Sequence, residues 1–166
     1  SFYSKMNFVK FFCAEDKADV WSIVEPYVLE QNDPILSYLV AKEIKKANIK
    51  DHEDVVYDSG NLELIYKFSR DVVGANRRRL AFPILLSKDP ELNYLFARDV
   101  SDIDIFPHEK VVLDSRNPEW NMKFARDVKG ANIRSHKKVL ADMEDNLIEL
   151  IDQKHEEKAK VKVLMS

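Results

Sequence analysis

Phe124-Ala125-Arg126-Asp127-Val128-Lys129-Gly130-Ala131-Asn132-Ile133 is the stretch on which the fold turns, because the chain keeps returning to it. Twenty-eight residues earlier stands Phe96-Ala97-Arg98-Asp99-Val100. Another 28 back stands Phe68-Ser69-Arg70-Asp71-Val72, followed by Gly74-Ala75-Asn76. One more step gives Val40-Ala41-Lys42-Glu43-Ile44, then Ala47-Asn48-Ile49. No insertion interrupts the period, and self-similarity of this length marks stacked supersecondary units.

Outward from that stretch, each period reads as two helices. The first opens with an N-cap and a proline in Asp33-Pro34, Asp89-Pro90 and Asn117-Pro118, with Asn61-Leu62 as the variant. The cap satisfies an orphan amide, and proline sits where its missing N–H costs nothing. Apolar residues then recur every four positions: Leu36, Val40, Ile44; Leu64, Phe68, Val72; Leu92, Phe96, Val100; Trp120, Phe124, Val128. They form one stripe of a 3.6-residue helix. A small residue beside it (Ala41, Ser69, Ala97, Ala125) admits a neighbouring helix. Gly74 and Gly130 are expected to end the first helix in a left-handed conformation. A short second helix turns Val55-Val56, Ile84-Leu85, Val111-Val112 and Val139-Leu140 inward, and Ser59, Ser87 and Ser115 close the repeats.

The expected architecture is all-α: an α-solenoid of two-helix, 28-residue repeats at 33–60, 61–88, 89–116 and 117–144 in a single domain. A degenerate repeat at 5–32 keeps Phe8, Phe12, Cys13 and Val28-Leu29 on the apolar positions. Residues 145–166 are expected to form a C-terminal capping helix and tail, with Met143, Leu147, Leu150 and Ile151 at helical spacing and fraying from His155 onward.

Bulk properties narrow the function. An apolar content of 45% and a charged content of 33% are those of a folded globular chain. The net charge of -3 argues against a dedicated polyanion binder. A single cysteine, Cys13, precludes an internal disulfide and suits a reducing, cytoplasmic setting. No apolar run reaches membrane-spanning length. Ser1-Phe2-Tyr3-Ser4-Lys5 lacks the order of a signal peptide, and Met6 is the expected natural start.

The polar residues that keep the period are the candidate site residues. Arg70-Asp71, Arg98-Asp99 and Arg126-Asp127 repeat as pairs. Adjacent helical residues point about 100° apart and are not expected to pair with each other. The acids Asp71, Asp99 and Asp127, together with Asn48, Asn76 and Asn132, are expected to fix the stacking register. Arg70, Arg98 and Arg126 share a flank with Tyr38, Tyr66 and Tyr94. The tyrosines read either as packing between layers or, with the arginines, as a partner-binding strip of hot-spot residue types.

His52, His108 and His136 also keep the period, with Leu80 in between. Equivalent positions on stacked helices lie about 8–10 Å apart, whereas zinc needs ligands about 2 Å away. No metal site and no cofactor are expected. Arg77-Arg78-Arg79 departs from the repeat, since Arg77 stands where Ile49, Ile105 and Ile133 stand. It reads as a solvated loop or, with Lys45, Lys46, Lys129 and Arg134, as a basic edge for an anion or a nucleic-acid backbone. There is no Gly-rich phosphate loop, nucleophile elbow, His-Glu-x-x-His or Cys-x-x-Cys, so catalysis is not expected.

The unit D-P-E-x-x-Y-x-F-A-R-D-V-x-G-A-N-I, carried by Phe68 to Asn76, Phe96 to Val100 and Phe124 to Ile133, resembles a tandem helical repeat of uncharacterised bacterial and bacteriophage proteins. More loosely, it is similar to tetratricopeptide and HEAT-type solenoids. The resemblance implies an α-α stack and a binding role. The expected function is therefore a non-enzymatic module for a protein or peptide partner, in the setting of a phage or prophage accessory factor or inhibitor of a host protein. Nucleic acid at the basic edge is the alternative, and no membrane partner is expected.

Overall fold

The computed structural model describes residues Ser1–Ser166 and contains helices and no strands. In chain order the helices are α1 Phe2–Phe12, α2 Ala18–Glu30, α3 Pro34–Glu43, α4 Ile49–Asp58, α5 Leu62–Asp71, α6 Arg77–Ser87, α7 Pro90–Asp99, α8 Phe106–Ser115, α9 Pro118–Asp127 and α10 Ile133–Met165. A 3-10 turn at Glu15–Lys17 joins α1 to α2. From α3 onward, odd-numbered helices are the first helix of a repeat and even-numbered ones the second. The all-α fold of two-helix repeats expected from the period is present, and no helix is long and apolar enough to cross a membrane.

Side-chain caps set the helix starts. Asp33 Oδ1 accepts from the Ile35 and Leu36 amides at 3.0 and 3.1 Å, and Asn61, Asp89 and Asn117 cap α5, α7 and α9 in the same way at 3.1–3.2 Å. Asn48, Asn76 and Asn132 cap α4, α6 and α10 at 3.1–3.2 Å. Each such cap is worth about 1 kcal/mol.

The helix ends differ from expectation at the glycines. Helices α5 and α9 stop at Asp71 and Asp127, and the next residue, Val72 or Val128, is already extended. Gly74 (φ +87°) and Gly130 (φ +84°) lie inside the connecting turn, and Asp102 (φ +57°) fills the same slot. The chain leaves the helix early because Val72 and Val128 turn inward to complete the apolar stripe, at 0% and 5% exposure. A second left-handed column, Asn32, Gly60, Lys88 and Arg116, reverses the chain after α2, α4, α6 and α8. Only one of these is glycine.

The C-terminus also differs. A separate cap with a frayed tail was expected, but α10 runs unbroken for 33 residues. The cause is local: Met143 and Glu144 stand where Ser115 and left-handed Arg116 end the preceding repeat, so no stop signal is present.

The chain divides into two compact units, one of Ser1–Ser87 with Asp99–Ile103, the other of Lys88–Arg98 with Asp104–Ser166. In unit 1 the core comprises Val9, Phe12, Trp21, Val28, Val40, Ile44, Val56, Ile65, Phe68, Val72, Leu80 and Ile84. In unit 2 Tyr94, Ala97, Val112, Phe124 and Val128 form one cluster, with Ile105 and Trp120 against it. The stripe residues Phe68, Phe96 and Phe124 are all 0% exposed; removing one such ring costs about 3–5 kcal/mol.

Candidate partner-binding site

Most of the period's polar residues face one another across neighbouring helices. In unit 1 the Tyr38 hydroxyl donates to Asp71 and the Tyr66 hydroxyl to Asp99; in unit 2 the Tyr94 hydroxyl donates to Asp127. The three tyrosines are only 3–8% exposed. They are packing residues and do not present the docking strip considered from sequence. Burial, reinforced by the Asp71 carboxylate, pushes the Tyr38 phenol up to about 12.

Asp71 and Asp127 are each fixed again by the neighbouring arginine. Arg70 Nε and Arg126 Nε donate to Asp71 and Asp127 at 2.7 Å, and the second guanidinium nitrogens do so at 2.9 and 2.8 Å. This corrects the expectation that adjacent arginine and aspartate do not pair. The aspartate is the last helical residue, and the long arginine arm folds back over the helix end to reach it. The guanidinium beside each carboxyl holds Asp71 and Asp127 well below the usual carboxylate range. Arg70, Arg98 and Arg126 are exposed, with Arg70 and Arg98 lying 5.1 Å over the Tyr66 and Tyr94 rings.

A second network was only half visible in sequence. His52 Nδ1 meets Ser37 Oγ at 3.0 Å, and its Nε2 meets Glu25 at 3.1 Å. In unit 2, His136 meets Asn121 Oδ1 at 2.7 Å and Glu109 at 3.1 Å. The same acids hold the next repeat's loop: Glu25, Glu53 and Glu109 accept the backbone N–H of Asn48, Asn76 and Asn132 at 2.9, 2.6 and 2.7 Å. The asparagines thus cap a helix with the side chain and tie repeats together with the amide. His52, His108 and His136 are at most 1% exposed, and no cluster of His, Cys, Asp or Glu is arranged to hold a metal ion.

The repeat at 61–88 replaces the polar pair with Ile65 and Leu80, both 0% exposed. Glu53 therefore meets no histidine, and Arg79 Nη1 reaches it instead at 3.1 Å, also bonding Asp54 at 2.6 Å and stacking 4.2 Å over Tyr57. Arg77 donates to the Ser69 carbonyl at 3.0 Å and lies 3.6 Å from Asp102. Of the arginine triplet, Arg78 alone is an exposed residue. The triplet's departure from the repeat is accounted for by these internal bonds.

A recess remains between the degenerate first repeat and the repeat that follows it. In unit 1 this recess of about 440 Å³ is floored by Phe12, Trp21 and Ile44 and edged by Cys13, Lys45 and Lys46. Trp21 is 1% exposed, and its Nε1 donates to Glu25 at 3.1 Å, which fixes the ring. The 3-10 turn at Glu15–Lys17 joins α1 to α2, and its Glu15 lines the recess. Cys13 Sγ donates to the Val9 and Glu43 carbonyls at 3.3 and 3.6 Å. Burial and the nearby Glu43 carboxylate raise its thiol above the ordinary value, which argues against a nucleophile. The volume is that of an ordinary ligand recess, and the rim carries two cations against one acid, Glu15.

Comparison of the chain with protein-family models, with curated proteins and with solved structures finds no match.

Proposed function

We propose that the chain is a non-enzymatic, protein- or peptide-binding helical-repeat module, and that the recess of unit 1 receives the partner. One observation carries the reading. The tyrosine, aspartate, histidine, glutamate and asparagine columns are consumed in bonds between helices, whereas the recess beside Phe12, Trp21 and Ile44 leaves about 440 Å³ edged by two exposed lysines. A bulky apolar side chain with an acidic neighbour fits that chemistry: the ring or branched chain desolvates against the floor, and the acid meets Lys45 or Lys46. An aromatic pocket with a charged rim is the usual anatomy of an interface hot spot. Nucleic acid is the weaker reading, because Arg77 and Arg79 are committed to bonds within unit 1.

The test is nuclease-treated capture with the wild-type chain, Ala18→Trp, which fills the recess, and Lys45→Glu/Lys46→Glu, which reverses its rim. The expected result is one stoichiometric protein on the wild type and its loss from both variants, with helicity retained. Capture abolished by nuclease, or undiminished by Ala18→Trp, refutes the proposal.

A further inference from the structure

Beyond Met143, α10 runs with every residue from Glu144 to Ser166 exposed. Leu147, Leu150, Val161 and Leu164 are 54–86% exposed on this extension. A surface of this kind is a contact face or an aggregation liability. Leu147, Leu150, Lys154, Glu157, Val161 and Leu164 follow one another at alternating steps of three and four, the spacing of a coiled-coil seam. The seam is apolar at both ends and carries one cation and one anion in the middle.

We propose that the α10 extension is a homodimerisation helix and that its occupant is the same helix of a second copy, antiparallel. Charge selects both the occupant and the direction. In a parallel pair in register, Lys154 would meet the partner's Lys154 and Glu157 the partner's Glu157, two like-charged layers. Reversing one helix places Lys154 against the partner's Glu157, Glu157 against the partner's Lys154, Leu150 against the partner's Val161, and Leu147 against the partner's Leu164. All six seam positions are then used in symmetric layers, four apolar and two ion-paired. The flanks agree: Ile151 faces the partner's Lys158 and Gln153 the partner's Lys160, with no like charges opposed. The overlap is about 33 Å long at 1.5 Å per residue. Polar layers inside an apolar seam specify register and direction at some cost in affinity. The two-fold arrangement uses the same patch on both chains, as an isologous dimer requires.

Light scattering coupled to size exclusion tests this on the full chain. The wild type is expected at twice the 19.4 kDa chain mass. Lys154→Glu and Glu157→Lys each create two like-charged layers and are expected to weaken association by roughly tenfold or more. The double variant Lys154→Glu/Glu157→Lys restores opposite charges only if the helices are antiparallel, and is expected to dimerise like the wild type. Leu147→Asp/Leu164→Asp is expected at monomer mass, with unchanged tryptophan emission, read in a Trp21→Phe background so that it reports Trp120, showing that unit 2 stays folded. A wild type at monomer mass overturns the proposal, whether the helix is bare or serves a different protein. So does a dimer that survives Leu147→Asp/Leu164→Asp. A charge-swapped double variant no better than the single ones refutes the antiparallel register.

Discussion

Replacing Asn93 and His108 of unit 2 by the isoleucine and leucine that the chain itself uses at Ile65 and Leu80 tests the histidine network in depth. The Asn93 side-chain amide donates to the Asp89 carbonyl at 2.8 Å, so its oxygen faces His108 Nδ1 at 2.8 Å and the ring must carry its proton on Nδ1. In the sequence, the column that carries Glu25, Glu53 and Glu109 has Ala81 at this step. His108 is 1% exposed and packs 4.8 Å from Phe96. Burial pushes it down to about 4 from the usual 6.5. A histidine lowered on folding stays neutral in the fold, so its contribution is intact above pH 6.5 and drains away as the pH falls toward 4. Between pH 7.5 and 4.5 the loss is about 2–3 kcal/mol. Urea unfolding followed by circular dichroism should show this loss in the wild type beyond that of Asn93→Ile/His108→Leu. At pH 7.5, His108→Leu alone should cost about 1–3 kcal/mol by removing the bond between His108 Nδ1 and the Asn93 oxygen, and adding Asn93→Ile should recover most of it. Equal pH profiles for wild type and double variant, or additive costs at pH 7.5, would refute the reasoning.

Arg79→Ala should destabilise unit 1 by about 2–4 kcal/mol, since Glu53 is only 3% exposed and loses its cation. Adding Ile65→Asn and Leu80→His, which rebuilds the histidine pair of the other repeats, should recover part of this in the same urea titration. Tyr66→Phe should cost about 1–2 kcal/mol by removing the hydroxyl bond to Asp99; a thermal midpoint equal to wild type would count against the ladder. Because the Tyr38 phenol is raised to about 12 from 10, its contribution is complete below pH 10 and lost as the pH rises through 12. Tyr38→Phe should therefore flatten the alkaline unfolding profile, and an unchanged profile would contradict that assignment.

The features that read correctly from the sequence are those carried by single residues at fixed offsets. Asp33, Asn61 and Asn117 cap where an N-cap was expected, and Phe68, Phe96 and Phe124 lie at the centre because a stripe of period four has one inward face. Pairings across repeats were harder to see. The helical wheel put Tyr66 on a flank, but not within reach of Asp99, which lies 33 residues on and belongs to the next repeat. Glu25, Glu53 and Glu109 keep the period, so reading down the columns could have exposed them, as could the joint replacement of Asn or Ser and His by Ile65 and Leu80. The reversals at Asn32, Lys88 and Arg116 are left-handed without a glycine to signal them. The continuous α10 follows from absent stop residues, and a missing signal is easily passed over. The recess was hidden for a similar reason: no motif marks it.

The claim that a partner enters the recess of unit 1 is tested most directly by the alkylation rate of Cys13, the only cysteine in the chain and one of the residues edging that recess. In the purified complex the account predicts a rate at least about tenfold below that of the unbound chain, with Ala18→Trp slowed in the absence of any partner. Equal rates with and without the partner would place the contact elsewhere and contradict the account.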